Sequence, residues 1–191
     1  MSLVHALGPV VDALSQLGVD YQIGGSVASS AHGTPRSTLD VDLVANLRIQ
    51  HADPLCAILR PDFYAEPELV RHAIHHHSCV NFLHLASGYK VDVFVVRDSD
   101  YDRLAFTRFV EKGLAGDPSG RLFRIATAED ILLRKMLWYR AGDESSDRQW
   151  QDILGVLRVQ MEALDHAYLF KWATKLGLES LLARAEAELS P

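Results

Sequence analysis

Acidic residues recur on two strand-like segments, and this pattern constrains the chain more than any other feature. Residues 38–43 read TLDVDL, and residues 90–94 read KVDVF. Because side chains alternate along a strand, Asp40 and Asp42 share one face. The opposite face is expected to take Leu39, Val41 and Leu43. We expect Asp92, on the second strand, to lie beside the pair.

Carboxylates gathered on an exposed sheet face repel one another unless a cation neutralises them. Oxygen-only sites suit Mg²⁺, which keeps several waters and shares its coordination shell with substrate phosphates. The pattern therefore predicts that Asp40, Asp42 and Asp92 form a Mg²⁺ site for phosphoryl or nucleotidyl transfer. The alternative is a solvated strand face, and it is stronger for Asp92, because edge strands often carry acids.

A Gly-Gly-Ser turn stands before the acidic strands. Residues 24–28 read GGSVA, residues 32–38 read HGTPRST, and DVD follows at 40–42. With the later strand acid, this order resembles the nucleotidyltransferases of the DNA polymerase beta superfamily. The same run, together with ATAED at 126–130, Lys135 and RQWQDI at 148–153, is similar to the AbiEii-type and minimal nucleotidyltransferase branch.

The resemblance implies an α/β (α+β) nucleotidyltransferase fold, in which a small mixed sheet is flanked by helices and followed by a C-terminal helical bundle. We accordingly expect a catalytic α/β domain at 1–125 and a helical lobe at 126–191. Apolar spacing predicts the elements. We expect helices at 3–17, 27–32, 49–60, 127–139, 147–160, 164–175 and 178–188, strands at 21–24, 78–85 and 89–96, edge strands within 106–114 and 122–125, a loop at 61–67 and a helical turn at 68–72.

The resemblance also assigns residues to the nucleotide. Gly24 and Gly25 would let the backbone approach a phosphate, which agrees with the conformational freedom of glycine. Ser26 would bind a terminal phosphate, and it is also a candidate N-cap. Arg36 would bind the triphosphate through its guanidinium group, unless it is a solvated loop residue.

Three further residues are implied to line the nucleotide cleft. Lys135 would face the nucleotide, against the alternative of a surface lysine that snorkels to solvent. Arg148 and Asp152 would line the cleft, although their i,i+4 spacing is also explained by a helix salt bridge. Lys90 shares a face with Asp92, where it would form an ion pair or contact a phosphate, and the ion pair is favoured.

Aromatic and histidine residues are expected to be structural. Trp138, Trp150 and Trp172 fall at helical spacing among aliphatic residues, so we expect them in the core rather than in a base-stacking platform. The run 75–77 reads HHH. Adjacent histidines point in different directions, so a polar loop is favoured over a zinc site.

Composition limits the classes of protein. The 191-residue chain has a net charge of −6 and a pI of about 5.8, which argues against tight non-specific nucleic-acid binding but not against one docked tRNA. No apolar run is long enough for a membrane helix. The segment MSLVH at the N-terminus lacks the features of a signal peptide. We therefore expect a cytoplasmic protein with no membrane partner, in which Cys56 and Cys79 are reduced thiols.

Two functions of different class remain open. The first is a Mg²⁺-dependent enzyme that moves a nucleotide from a nucleoside triphosphate to a hydroxyl acceptor, with Asp92 as general base or metal ligand. The acceptor would be a tRNA end, a protein or a small molecule such as an aminoglycoside. The AbiEii-type resemblance implies a toxin–antitoxin or phage-defence setting with a cognate toxin or antitoxin. The second is a non-catalytic module that keeps the fold and binds a nucleotide or partner.

Overall fold

Seven strands form one mixed sheet in the computed structural model, which describes residues 3–117 and 119–189. Residues 1, 2 and 118 of the predicted domain 1–125, and residues 190 and 191 of the predicted domain 126–191, lie outside these ranges. The strands are β1 (Tyr21–Ile23), β2 (Asp40–Ala45), β3 (Phe63–Tyr64), β4 (Cys79–His84), β5 (Lys90–Val95), β6 (Phe109–Gly113) and β7 (Leu122–Ala126). Their order across the sheet is β3-β4-β5-β2-β1-β7-β6.

Nine α-helices flank the sheet within the described ranges. They are α1 (Leu3–Gln16), α2 (Gly25–His32), α3 (Ala52–Leu59), α4 (Pro67–His75), α5 (Asp100–Thr107), α6 (Ala128–Ala141), α7 (Asp147–Gln160), α8 (His166–Leu176) and α9 (Glu179–Leu189), with a 3-10 turn at Ile49–His51. The mixed sheet and the run of four helices at the end of the chain confirm the predicted fold class.

The central strands place the acidic residues. β2 runs parallel to β5 with Asp42 opposite Asp92, and β5 runs antiparallel to β4, as predicted. Val41, Leu43, Val91 and Val93 are fully buried on the other face, and α1 contacts both strands. Leu39 does not join them and is 71% exposed, because β2 begins only at the next residue.

Helices α2 and α7 approach each other closely. Gly33 directly follows α2. A Cβ atom added to it would lie 2.7 Å from the backbone carbonyl carbon of Gly155 in α7. A side chain here would force the two backbones apart. The two glycines therefore let α7 lie directly beside α2, which carries the Gly-Gly-Ser turn at its start.

Several predicted boundaries were wrong. Ser26 is not the N-cap of α2, because Gly24 takes that position and Ser26 lies in the first turn. The predicted loop at 61–67 contains the short β3, and the turn at 68–72 is the longer α4, which includes His75. The first residues of the edge strand predicted within 106–114 belong to α5. The strand predicted at 122–125 is β7, and it is not an edge strand, because it lies between β1 and β6.

α5 was missed and α4 was predicted only as a turn, because both helices are short and carry many polar residues. Local capping explains both: Pro67 begins α4 at a position that suits proline, and the Ser99 hydroxyl accepts the backbone N–H of Asp102 at the start of α5. In the described part of the chain, no helix has the length and apolar character needed to span a membrane.

Candidate active site

The Gly-Gly-Ser turn is built around the side chain of Asp42. The backbone N–H of Gly24 donates to the Asp42 carbonyl oxygen at 2.8 Å. Gly25 has φ +53°, and a Cβ atom at this residue would overlap the Asp42 carboxylate. The backbone N–H of Ser26 donates to Asp42. A glycine is therefore required at residue 25, both by its backbone conformation and by the space available.

Asp42 and Asp92 face each other across neighbouring strands. They are directly paired in the parallel register of β2 and β5, and the whole residue Asp92 is only 9% exposed. Burial, and then the negative charge of Asp92, raise the pKa of Asp42 above its usual range, while Lys135 opposes the shift. The two carboxylates therefore form a site with excess negative charge, which a bound cation would relieve.

Asp92 already has two neighbouring donors. The Asn81 amide donates to Asp92 Oδ1 at 2.5 Å, and Lys90 Nζ lies 2.9 Å from Asp92 Oδ2, so the predicted ion pair is confirmed. Lys90 Nζ is also 3.8 Å from Asp40 Oδ1. The side chain of Asp40 is 53% exposed and lies further out on the same face. Sequence reasoning missed Asn81, which carries no motif of its own.

The site fits a divalent cation through its donor chemistry. Asp42 and Asp92 supply carboxylate oxygens, the ligands that Mg²⁺ prefers, and their mutual repulsion favours a positive ion between them. Within residues 3–117 and 119–189, however, no group of three or more His, Cys, Asp or Glu side chains is arranged to hold a metal ion. The structure thus brings two of the predicted ligands together and leaves Asp40 beside Lys90, so the three-carboxylate metal site stays a prediction.

A buried charge network supports the Gly-Gly-Ser turn from the helical side. Arg36 donates to both carboxylate oxygens of Asp152, from Nε at 2.7 Å and from Nη2 at 2.9 Å. The same Nη2 donates to the Ser26 hydroxyl. Lys135 Nζ donates to Asp152 Oδ2 at 2.7 Å. The two alternatives, a solvated Arg36 and a snorkelling Lys135, are therefore wrong, and Lys135 is only 5% exposed.

Asp152 is the centre of this network. Burial by itself would raise the pKa of Asp152, but the hydrogen bonds and positive charges of Arg36 and Lys135 outweigh it and lower the pKa. Asp152 therefore stays ionised and holds both cations beside the turn. The expected salt bridge to Arg148 is wrong, because the cationic partners of Asp152 come from the turn before β2 and from α6.

Two cavities meet this region. The smaller, of about 290 Å³, extends from the Gly-Gly-Ser turn and Asp42 to α6. Its lining residues are Gly24, Gly25, Ser26, Asp42, Val44, Phe94, Ile131, Arg134, Lys135, Trp138 and Gln149. The larger, of about 940 Å³, lies on the other side of α2 and is lined in part by Arg36, Asp40, Lys112 and Arg148. Arg148 is exposed and does not line the smaller cavity.

The tryptophans divide between core and cavity. Trp150 and Trp172 are each 6% exposed, as predicted for core residues. Trp138 is 56% exposed and lines the smaller cavity, so the prediction of a core role was wrong for it. Its position three residues after Lys135 on the same helix was the available signal, because residues three apart share a helix face.

The histidine run behaves as a polar surface segment. Residues 75–77 are exposed, and the His77 ring pairs through Nδ1 with the Val96 carbonyl at 2.7 Å. None of the three belongs to a potential metal-binding group within the described ranges.

Comparison with solved structures relates this fold to nucleotidyltransferases. An antigenic nucleotidyltransferase-like protein from Paracoccidioides brasiliensis is 20% identical, with 94% of this chain and 90% of that chain covered and a TM-score of 0.54. The enzyme ANT(2")-Ia, solved with adenylyl-2"-tobramycin, is 14% identical over the full length of both chains, with a TM-score of 0.52. The lincosamide antibiotic adenylyltransferase LnuA, solved with lincomycin, is 14% identical over 80% of this chain and 95% of its own, with a TM-score of 0.51.

Sequence comparisons give no such relation. No protein-family model matches the chain, and no curated protein matches it either. At these identities the structural likeness concerns the architecture, and the chain adopts the nucleotidyltransferase fold.

Proposed function

We propose that this protein is a Mg²⁺-dependent nucleotidyltransferase that moves a nucleoside monophosphate from a nucleoside triphosphate to a hydroxyl acceptor. The observation that carries the proposal is that Gly25, Ser26 and Asp42 line one cavity, while Asp92 is paired with Asp42 on the neighbouring strand. A glycine turn at a helix start suits a phosphate, and paired carboxylates suit the cation that accompanies it. The fold shared with the adenylyltransferases ANT(2")-Ia and LnuA supports the same reaction class.

The residues have complementary roles in this reaction. Asp42 and Asp92 would hold Mg²⁺, which stabilises the charge that develops on the attacking and leaving oxygens. Asp40 is the proposed third carboxylate. The backbone at Gly24, Gly25 and Ser26 would bind the phosphates, and Arg36 and Lys135, held by Asp152, would add positive charge beside them. Arg148 is proposed to contact the nucleotide or the acceptor from the larger cavity.

The transfer is a substitution at the α-phosphorus. The acceptor oxygen forms a bond to that phosphorus in line with the bond that breaks, and pyrophosphate leaves. Asp92 is proposed to act either as a ligand of the metal or as the general base that takes the proton of the acceptor hydroxyl. Lys90 and Asn81, both in contact with Asp92, orient its carboxylate. Most of the rate comes from positioning and electrostatic stabilisation.

The proposal includes two classes of acceptor, and a different observation supports each. ANT(2")-Ia and LnuA were solved with an aminoglycoside product and with lincomycin, which supports a small-molecule acceptor. The larger cavity beside Asp40 is lined by Arg36, Lys112 and Arg148. Positive charge there favours a phosphate-bearing acceptor such as a tRNA end over a polycationic aminoglycoside.

The biological setting is proposed from the motifs. Their similarity to the AbiEii-type branch supports a toxin–antitoxin role with a cognate partner. The cytoplasm is the proposed location because Cys56 and Cys79 are free thiols.

Calorimetry tests the binding part of the proposal. The intact protein is titrated with ATP, CTP, GTP and UTP in Mg²⁺ and again in EDTA. We expect binding of at least one triphosphate in Mg²⁺ and its loss in EDTA. Equal affinity under both conditions would show that the carboxylates are not a metal site. Transfer of label from an α-labelled triphosphate to tRNA, protein or antibiotic acceptors then tests the reaction.

A second candidate is a non-catalytic module that binds a nucleotide or a partner. The contacts of Lys90 Nζ with Asp92 and Asp40 favour it, because a lysine there neutralises part of the charge that a metal would otherwise balance. Binding of a triphosphate without label transfer to any acceptor class would support this module over the enzyme.

A further inference from the structure

We infer that Trp138 and Phe94 hold the nucleoside base and that the Gln149 side-chain amide hydrogen-bonds to the polar edge of that base. The inference rests on the proposed function, since it assumes that a nucleoside triphosphate occupies the smaller cavity. It adds the residues that bind the base.

The cavity lining combines polar and aromatic residues. Gly25, Ser26 and Lys135 belong to it, and the phosphates are proposed to bind beside them. Phe94 and Trp138 belong to the same lining, with the aliphatic side chains of Val44 and Ile131. A molecule that suits such a lining has an anionic group and a flat apolar ring, which is the chemistry of a nucleotide.

Trp138 is exposed in a helix that buries most of its large apolar side chains. Ile131, Leu132, Leu133 and Met136 are at most 1% exposed, whereas Trp138 is 56% exposed. Its ring meets Phe94 edge to face, with centroids 6.2 Å apart and an interplanar angle of 68°. An edge-to-face pair leaves ring surface open toward the cavity, and stacking of a base on such a surface contributes about 1–3 kcal/mol.

Gln149 supplies a polar contact for the edge of the base. Its Oε1 atom is buried, has no hydrogen-bond partner and belongs to a residue that lines this cavity. The residue is held at the start of α7, where its backbone N–H donates to the Ser146 hydroxyl at 3.4 Å. A buried acceptor without a donor is costly, and a ligand N–H would remove the cost.

The polar edge of every nucleobase carries N–H donors and acceptor atoms, and the Gln149 amide can meet either with its oxygen or its NH2 group. Gln149 therefore adds affinity for a base as such. One hydrogen bond corresponds to about tenfold in affinity.

The test measures binding of the four triphosphates and of inorganic tripolyphosphate, each with Mg²⁺, to the intact protein. Tripolyphosphate has no base and reports only on the phosphate and metal site. We expect Trp138→Ala to weaken all four nucleotides about tenfold and to leave tripolyphosphate unchanged. Trp138→Phe should restore most of the affinity. Phe170→Ala is the matched control, because Phe170 is 64% exposed and lies outside the cavity lining.

The Gln149→Leu variant tests the polar contact. It keeps the approximate size of the side chain and removes the amide, so each of the four nucleotides should bind about tenfold more weakly. Tripolyphosphate binding should again be unchanged. Circular dichroism confirms that each variant is folded, and Trp138→Phe keeps the test decisive if the alanine variant unfolds.

The outcomes separate this inference from the proposed function. If tripolyphosphate and the triphosphates all fail to bind, both are overturned. If the triphosphates bind in a Mg²⁺-dependent way but Trp138→Ala or Gln149→Leu leaves their affinity unchanged, the base site is overturned and the proposed function stands.

Discussion

The carboxylate of Asp42 fills the space that a side chain at Gly25 would occupy. A Cβ atom at residue 25 would overlap this carboxylate, and the backbone there has φ +53°. The turn and the acid therefore form one unit: the glycine brings the start of α2 against Asp42, and the Ser26 N–H donates to it.

Gly25→Ala should abolish Mg²⁺-dependent triphosphate binding and destabilise the protein. For a residue with a Cβ atom, the left-handed backbone conformation alone costs about 1–2 kcal/mol. The overlap would also displace the Asp42 carboxylate. Gly88→Ala is the matched control, because Gly88 has φ +70° and a Cβ atom added there would meet nothing within 4 Å. It should lower the melting temperature slightly and keep binding. Wild-type affinity in Gly25→Ala would show that this turn does not shape the site.

Asp42→Asn should keep or raise stability and abolish cation-dependent binding. Burial and the charge of Asp92 raise the pKa of Asp42 in the folded protein. Its ionised form is therefore unfavourable to folding, and the free energy of unfolding falls as pH rises from the unfolded value of about 3.9 through the raised folded pKa. The Asp42→Asn variant should not show this dependence of the free energy of unfolding on pH. Urea unfolding of both proteins between pH 4 and 7 measures it.

The double variant Asp40→Asn/Asp42→Asn should likewise stay folded and lose transfer. A steep loss of stability in either variant would instead make these acids structural.

Asp152→Asn should be strongly destabilising. The change leaves the buried Lys135 ammonium without a full counter-charge, and breaking such a pair costs about 3–5 kcal/mol. Asp147→Asn is the control, because Asp147 is an exposed acid in the first turn of the same helix. Chemical denaturation measures both. A change below about 1 kcal/mol in Asp152→Asn, the range of an exposed ion pair, would contradict a structural role for the network.

The same network predicts an acid limit to stability. The pKa of Asp152 is lowered in the folded protein, so its contribution is fully present above the unfolded value of about 3.9. It is lost as pH falls from there through the folded pKa. Wild-type stability should therefore decline more than that of Asp152→Asn as the pH falls below about 4. Parallel declines in the two proteins would contradict the assignment.

Asp92→Asn should separate a general base from a metal ligand. If Asp92 is the base, transfer should fall by about 10²–10⁴ while triphosphate affinity changes little. Partial recovery at high Mg²⁺ would indicate a ligand instead. Unchanged rate and unchanged Mg²⁺ dependence would leave Asp92 as an ordinary strand acid and favour the non-catalytic module.

Lys90→Met should strengthen Mg²⁺ binding in the absence of nucleotide. Lys90 Nζ lies 2.9 Å from Asp92 and 3.8 Å from Asp40, so it competes with a metal for the same negative charge. A gain of several-fold is expected for removing one nearby charge in a partly exposed site. Lys171→Met on α8 is the control. Weaker Mg²⁺ binding in Lys90→Met would show that the lysine does not compete.

Much of the site was predictable from local patterns. Strand alternation correctly placed Asp40 and Asp42 on one face with Val41 and Leu43 buried opposite, because the period of two is a property of the extended backbone. Apolar periodicity located most helices for the same local reason. It missed α5 and predicted only a turn within α4, and in both helices a proline or serine at the start was a further local signal.

The remaining features depend on contacts between distant parts of the chain. Asp152 could be read as a partner of Arg148 four residues away, yet it binds Arg36, 116 residues away in sequence, and Lys135. The close approach of Gly33 to Gly155 places α7 where this pairing is possible. The exposure of Trp138 likewise depends on which neighbours α6 acquires. A residue's type and spacing restrict the faces it can occupy, but burial and charge pairing depend on which segments pack together in the folded chain.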